Sequence, residues 1–222
     1  MTHTYEYPHP AVTTDIVIFT IRQDELKVLL IKRALAPHQG MWALPGGFVN
    51  LDESLEEGAR RELQEETGVS DVFLEQLYTF GSPDRDPRER VITVAYYALI
   101  PSDEIDIQAG TDAEGVSWFG MQELPELAFD HSSILDMAYE RLRAKLDYST
   151  IAFQFMPRSF TISELQHVYE VILREPVDKR NFRKRILRLD LIAETGKVKS
   201  DVAHRPAKLY RVKNRRRIDF IK

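Results

Sequence analysis

The pattern of apolar and polar residues predicts a chain that is rich in strands at first and rich in helices later. Apolar or β-branched runs predict strands at residues 15–20, 26–33, 72–80, 91–100 and 116–119. The polar residues 22–25 join the first two runs as in a hairpin. Apolar residues at helical spacing predict helices at about 55–67, 129–146, 161–175 and 178–189, with short strands at 192–195 and 209–212.

The most informative segment extends from Gly47 to Val69. Ser54 and Glu57 have the spacing of a capping box, in which each residue bonds to the backbone of the other. Gly68 occupies the position at which a helix commonly ends in a left-handed conformation. These signals predict a helix over residues 55–67.

A cluster of carboxylates lies on this helix, at Glu62, Glu65 and Glu66. Residues three or four apart are neighbours on a helix surface, so the three charges repel one another unless a cation lies between them. Carboxylate oxygens suit Mg²⁺, with Mn²⁺ as an alternative. Arg61 can pair with Glu65 or reach back to Glu53. The other interpretation of the cluster is a solvated acidic helix face.

The segment resembles the Nudix box, the signature of hydrolases that cleave a nucleoside diphosphate linked to another moiety. The matching residues are Gly47, Glu53, Arg61, Glu62, Leu63, Glu65, Glu66, Gly68 and Val69. The resemblance implies an α+β chain with an α/β/α sandwich around a mixed sheet. It also implies metal binding by Glu62, Glu65 and Glu66, catalytic support from Glu53 and Arg61, and substrate contacts from Gly46 and Gly47.

The loop at residues 81–88 has the sequence Gly-Ser-Pro-Asp-Arg-Asp-Pro-Arg. It resembles a loop of Nudix enzymes that act on ADP-ribose. The resemblance makes Ser82, Asp84, Arg85 and Arg88 candidates for binding ribose or pyrophosphate, since Arg can grip phosphate through two hydrogen bonds. The alternative is a polar hairpin connection, because Pro, Asp and Gly are common in turns.

Charge is divided unevenly along the chain. Residues 1–150 carry 12 Lys and Arg against 27 Asp and Glu, whereas residues 151–222 carry 18 against 8. A separate basic module of this kind is typical of contact with nucleic acid, and it predicts two domains, at 1–150 and 151–222. The absence of cysteine excludes disulfides and thiolate metal sites. No signal pattern or membrane-length apolar run is present, which predicts a cytoplasmic protein.

The basic C-terminal part has the element order of a winged helix-turn-helix. Its second helix is strongly basic, and a basic loop at 196–208 would form the wing. The candidates for DNA contact are Lys179, Arg180, Asn181, Arg183, Lys184, Arg185, Arg205 and Lys208. The alternative is a solvated basic face. This part resembles the C-terminal domain of the Nudix-related transcriptional regulators of NAD metabolism, which implies a homodimer that binds an ADP-ribose-type ligand and operator DNA.

Two functions follow from these resemblances. The first is an Mg²⁺-dependent pyrophosphatase that splits ADP-ribose into AMP and ribose 5-phosphate, and the intact box favours it. The second is a transcriptional regulator of NAD metabolism that uses ADP-ribose as its effector with little or no hydrolysis, and the basic domain favours it. Both functions can reside in one molecule.

Overall fold

The computed structural model describes residues 6–68, 72–101, 113–199, 206–214 and 218–221. The chain forms two compact units. The first contains the described residues of Met1–Phe19, Val28–Ala98 and Asp106–Ala138, and the second those of Thr20–Lys27, Leu99–Ile105 and Tyr139–Lys222. The domain ranges 1–150 and 151–222 stay a prediction.

Seven strands of the described residues form one sheet. They are β1 (Ala11–Arg22), β2 (Glu25–Arg33), β3 (Trp42–Ala43), β4 (Gly46–Phe48), β5 (Phe73–Phe80), β6 (Val91–Ile100) and β7 (Ala113–Gly120). The strand order is β3-β2-β1-β6-β5, with β4 paired to β1 and β7 paired to β2. The central strand β1 is longer than predicted and is buried throughout residues 13–20. The predicted hairpin turn is confirmed, because Gln23 and Asp24 both have the positive φ of a two-residue turn.

Helix α1 (Leu55–Thr67) has the predicted bounds. Ser54 and Glu57 form both bonds of the capping box, and Gly68 has a φ of 71° and donates its N–H to the carbonyl of Gln64. Ala59 and Leu63 are buried on the inner face of the helix, as their spacing predicts. Val69 of the box lies outside the described residues.

Helix α2 (His131–Tyr148) follows the sheet, and a short 3₁₀ helix (Ile151–Phe155) follows α2. The first residue of α2 lies two positions after the predicted start at 129. The carboxylate of Asp130, the residue before α2, accepts two hydrogen bonds from Arg85. Among the described residues, no helix is long and apolar enough to cross a membrane.

The second unit contains α3 (Ile162–Leu173), α4 (Lys179–Arg188), β8 (Ile192–Lys199) and β9 (Ala207–Val212). Thr161 forms a capping box with Glu164 at the start of α3, and the side chain of Asp178 caps α4. Tyr169 and Phe182 pack edge to face at 5.0 Å between the two helices. These contacts bury the apolar side of α4 and leave its basic side exposed.

The two strands β8 and β9 form an antiparallel pair. They extend to the pairing of Lys199 with Ala207, so the connection between them is shorter than the predicted loop at 196–208. The predicted order of two helices followed by a two-stranded wing is confirmed.

Candidate functional site

The Gly46–Gly47 turn is packed between strand β1 and helix α1. Gly46 lies opposite Asp15 and Gly47 lies opposite Thr14 in the β1–β4 pair. A Cβ atom at Gly46 would collide with the backbone oxygen of Thr14, and one at Gly47 would collide with the carboxylate of Glu62. Gly46 therefore lets β4 lie close to β1, and Gly47 lets the Glu62 carboxylate lie against the backbone of β4.

Arg61 connects the carboxylates of the box. Its Nε and Nη2 atoms donate to the two oxygens of Glu53 at 3.0 and 2.7 Å. Its Nη1 atom donates to Glu62 at 2.7 Å and to Glu65 at 3.0 Å, and Nη2 also bonds to the carbonyl of Phe48 at 3.1 Å. The sequence offered Glu65 or Glu53 as the partner of Arg61, and the structure shows both, together with Glu62.

The carboxylates of Glu53 and Glu62, which both bond to Arg61, have opposite pKa shifts. The hydrogen bonds from Arg61 lower the pKa of Glu53 to about 2. Burial raises the pKa of Glu62, although its bond to Arg61 opposes the change. Glu53 is therefore ionised at neutral pH, and it holds the Arg61 guanidinium in place.

The residues predicted to bind a metal suit a hard divalent cation in the chemistry of their donors. Glu62 is buried, Glu66 is partly buried and Glu65 is exposed. Among the described residues, no three carboxylate or imidazole groups are gathered so that they could hold a metal ion as they stand. Arg61 bonds to one oxygen of Glu62 and to one of Glu65. A bound cation would compete with Arg61 for these oxygens.

An open cavity adjoins the Gly46–Gly47 turn. The residues that line it are Thr13, Asp15, Ile31, Arg33, Leu44, Gly46, Gly47, Phe48, Arg85, Asp86, Arg88, Phe129 and His131. Four of the six predicted substrate residues line this cavity, namely Gly46, Gly47, Arg85 and Arg88. Ser82 and Asp84 are exposed and do not line it.

Arg85 is a buried member of this lining. Its Nε and Nη2 atoms donate to the two oxygens of Asp130 at 3.0 and 2.7 Å, and Nη2 also bonds to Asp15 at 3.2 Å. Only 4% of the side chain is exposed. Arg85 therefore holds the wall of the cavity together, and its guanidinium is already used by two carboxylates.

His131 holds the backbone of the segment that precedes the Gly46–Gly47 turn. Its Nδ1 atom accepts the backbone N–H of Leu44 at 2.9 Å. Complete burial lowers the pKa of His131, although Asp15 opposes the change. The ring is therefore neutral, with its proton on Nε2, which lies 3.6 Å from a carboxylate oxygen of Asp15.

Arg88 lies at the mouth of the cavity. Asp86 accepts two side-chain hydrogen bonds from it, at 3.0 and 2.7 Å. The guanidinium carbon of Arg88 lies 5.4 Å from the ring centre of Phe48 and 5.9 Å from that of Phe129. Aromatic and cationic groups together suit a ligand that carries both a planar ring and negative charge.

The basic helix α4 forms the second candidate site. Five predicted DNA-binding residues on it are exposed, namely Lys179, Arg180, Asn181, Arg183 and Lys184. Arg185 is partly buried, and its Nη2 atom donates to the carbonyl of Asp147 at 3.1 Å. Lys208 on β9 is exposed and pairs with Glu194. Arg205 lies outside the described residues.

Several residues of the cavity were missed by sequence reasoning. They are Asp15, Arg33, Phe48, Asp86 and Phe129. Asp15 gave a usable signal, because a carboxylate inside an apolar run of β-branched residues requires a partner. Arg33 and Phe48 end strands, Asp86 and Phe129 lie in loops, and their sequence gives no sign of a shared cavity.

Comparison with known families matches both parts of the chain. Residues 11–138 match the NUDIX domain, and residues 152–212 match the NrtR DNA-binding winged helix domain. The ADPR responsive transcriptional repressor NtrR of Acinetobacter baylyi is 40% identical over 210 residues, which cover 93% of this chain and 83% of the repressor.

Two further proteins resemble the chain. A crystal structure of Shewanella oneidensis NrtR complexed with a 27mer DNA superposes with a TM-score of 0.82 at 40% identity, covering 91% of this chain and 93% of that one. The ADP-ribose pyrophosphatase of Methanocaldococcus jannaschii is 43% identical over 129 residues, which cover 58% of this chain and 73% of that enzyme. The predicted fold class, a Nudix sandwich with a mixed sheet followed by a winged helix, is confirmed. The chain belongs to the Nudix family and carries an NrtR-type winged-helix domain after its Nudix domain.

Proposed function

We propose that this protein is a transcriptional regulator whose winged-helix domain binds operator DNA and whose Nudix domain binds ADP-ribose as the effector. The proposal is supported by similarity over nearly the whole chain to a repressor described as ADPR responsive. A second relative of similar coverage was crystallised with DNA. We further propose that the protein acts as a homodimer, since a two-fold dimer matches two half-sites of duplex DNA.

The observation that carries the proposal is the exposed polar face of α4. Phe182 and Ile186 are buried, while Lys179, Arg180 and Arg183 are exposed. Cationic side chains on such a helix neutralise DNA phosphates and release counterions. Asn181 offers an amide that can bond to a base edge, so affinity and sequence readout can come from the same helix.

The cavity of the Nudix domain suits the proposed effector. Gly46 and Gly47 line this cavity, and the aromatic rings of Phe48 and Phe129 offer surfaces for a planar base. Arg33 and Arg88 offer positive charge for a diphosphate. For the effector to regulate, it must have different affinities for the DNA-competent and DNA-incompetent states of the protein.

DNA binding is tested by selection from a randomised duplex library with the full-length protein. The recovered duplex should bind with an affinity that falls steeply with salt concentration, and Arg183→Ala should weaken it. Recovery of no sequence above background would contradict the DNA-binding proposal.

A second function, hydrolysis of ADP-ribose to AMP and ribose 5-phosphate, is favoured by the completeness of the Nudix box. A divalent cation, Mg²⁺ or Mn²⁺, would neutralise pyrophosphate charge and activate water. Glu62, Glu65 and Glu66 would hold it. Glu53 would keep Arg61 in position beside them, through the two hydrogen bonds described above.

Hydrolysis is tested by measuring AMP release from ADP-ribose with and without Mg²⁺. The matched variants are Glu66→Gln and Glu56→Gln, since Glu56 lies on the same helix but is exposed and paired with Arg60. We expect turnover in the wild type and in Glu56→Gln only. If the wild type binds ADP-ribose without releasing AMP, the protein is a regulator without this activity.

A further inference from the structure

We propose that Arg33 recognises a phosphate group of the nucleotide ligand and so makes the cavity selective for a diphosphate over the corresponding nucleoside. The inference rests on the proposed binding of a nucleotide in this cavity. It identifies the residue that binds the negatively charged part of that ligand.

The position of Arg33 is fixed by the chain around it. It is the last residue of β2, its N–H donates to the carbonyl of Met41 at 3.0 Å, and its own carbonyl accepts from Gly40 at 2.8 Å. The side chain is held as well, since Nε donates to the carbonyl of Pro37 at 2.9 Å. These hydrogen bonds hold the backbone and the side chain of Arg33 in place at the lining of the cavity.

Arg33 differs from the other two arginines of the cavity in its charge interactions. Arg85 is paired with two carboxylates, and Arg88 is paired with Asp86. Among the described residues, Arg33 forms no ion pair, and its side-chain hydrogen bonds go to neutral backbone carbonyls. It is thus the cavity arginine with charge to offer to a ligand.

The surroundings of Arg33 favour an incoming anion. The guanidinium carbons of Arg33 and Arg88 lie 4.8 and 5.9 Å from the same ring centre, that of Phe129. Partial burial lowers the pKa of Arg33, and the charge of Arg88 lowers it further, although Asp86 and Asp15 oppose the change. Two cations beside one ring repel each other, and a phosphate bound between them would relieve that repulsion.

Phosphate is the group that fits this arrangement. A guanidinium offers a planar fork of donors that matches the oxygens of a phosphate. The Nη1 atom of Arg33 makes no hydrogen bond to the described residues and remains available. The diphosphate of a nucleotide sugar and free pyrophosphate share this chemistry, so a test has to separate them.

The test is calorimetric titration of the full-length protein with ADP-ribose and with inorganic pyrophosphate, together with displacement of ADP-ribose by adenosine. The variants are Arg33→Gln and Arg33→Lys. The matched control is Arg90→Gln, because Arg90 also donates to backbone carbonyls but does not line the cavity. Thermal unfolding of each variant without ligand checks that the fold is kept.

We expect Arg33→Gln to weaken ADP-ribose binding about 10- to 100-fold, the usual effect of losing a charge-assisted hydrogen bond. Arg33→Lys should lie between the wild type and Arg33→Gln. Adenosine affinity should change less than about twofold, since adenosine has no group for a charge-assisted bond. Equal losses for ADP-ribose and adenosine, or an equal effect of Arg90→Gln, would overturn the inference, because Arg33 would then only support the local fold.

The pyrophosphate titration separates this inference from the proposed function. If the wild type does not bind ADP-ribose, the proposed effector is wrong. Binding of pyrophosphate that depends on Arg33 would then still support the phosphate site. Absent pyrophosphate binding, or binding that Arg33→Gln leaves unchanged, would overturn the inference in that case.

Discussion

Arg85 and Asp130 are joined by two hydrogen bonds, of 2.7 and 3.0 Å, although they lie 45 residues apart in the chain. The pair ties the loop after β5 to the residue that precedes α2. Asp15 on β1 accepts a third bond from the same guanidinium. One arginine therefore joins three separate segments at the wall of the cavity.

Removal of Arg85 should strongly destabilise the Nudix domain. Arg85→Ala leaves the carboxylates of Asp15 and Asp130 poorly compensated, and loss of one partner of a buried pair costs about 3–5 kcal/mol. Urea unfolding measures the change, with the exposed Arg90→Ala as control, for which we expect a change within about 0.5 kcal/mol. Equal effects of the two substitutions would show that the Arg85 network does not stabilise the domain.

His131 should make stability depend on pH. Burial lowers its pKa in the folded state below the ordinary value of 6.5. The unfolded chain therefore binds the proton first, so the stabilisation is complete above about pH 6.5 and is lost as the pH falls through the folded-state pKa. His131→Asn keeps an acceptor for Leu44 without a titrating ring, and it should flatten this part of the stability profile. An unchanged profile in His131→Asn would rule out His131 as its source.

His131→Ala should behave differently from His131→Asn. Alanine leaves the buried N–H of Leu44 without its acceptor, which costs about 1–3 kcal/mol at all pH values. Chemical unfolding at pH 8, where the histidine is neutral in both states, isolates this loss. Equal stability of the two variants at that pH would mean that the acceptor contributes nothing.

Two arginines of α4 should have separable roles in DNA binding. Arg183 is exposed, and Arg183→Ala should weaken binding to all duplexes and reduce the salt slope by about 1. Arg185 bonds to the carbonyl of Asp147, so Arg185→Ala should lower stability by about 1 kcal/mol and leave the salt slope unchanged. Fluorescence anisotropy over a series of salt concentrations gives both slopes, and a reduced slope for Arg185→Ala would contradict the assignment.

Local signals made some elements predictable from sequence. The bounds of α1 followed from Ser54, Glu57 and Gly68, because a capping box and a left-handed glycine act within a few residues of the helix ends. The hairpin turn at residues 22–25 was predictable for the same reason.

The cavity was only partly predictable, because its contacts join distant residues. Leu44 and His131 are 87 positions apart, and nothing local indicates that one accepts a bond from the other. The sequence of the loop at 81–88 contains several charged residues, but it does not indicate which of their side chains are buried. Arg85 and Asp86 are buried, whereas Asp84 is exposed, and that choice depends on partners elsewhere in the sheet.

The central claim is that one chain binds ADP-ribose and operator DNA and that the first ligand changes the affinity for the second. The most direct measurement is fluorescence anisotropy of the selected duplex with full-length protein while ADP-ribose is added, with the Arg33→Gln variant in parallel. We predict that ADP-ribose releases the DNA from the wild type, and that the variant requires about 10- to 100-fold more ADP-ribose for the same release. DNA affinity that stays constant while calorimetry shows saturation by ADP-ribose would contradict the account.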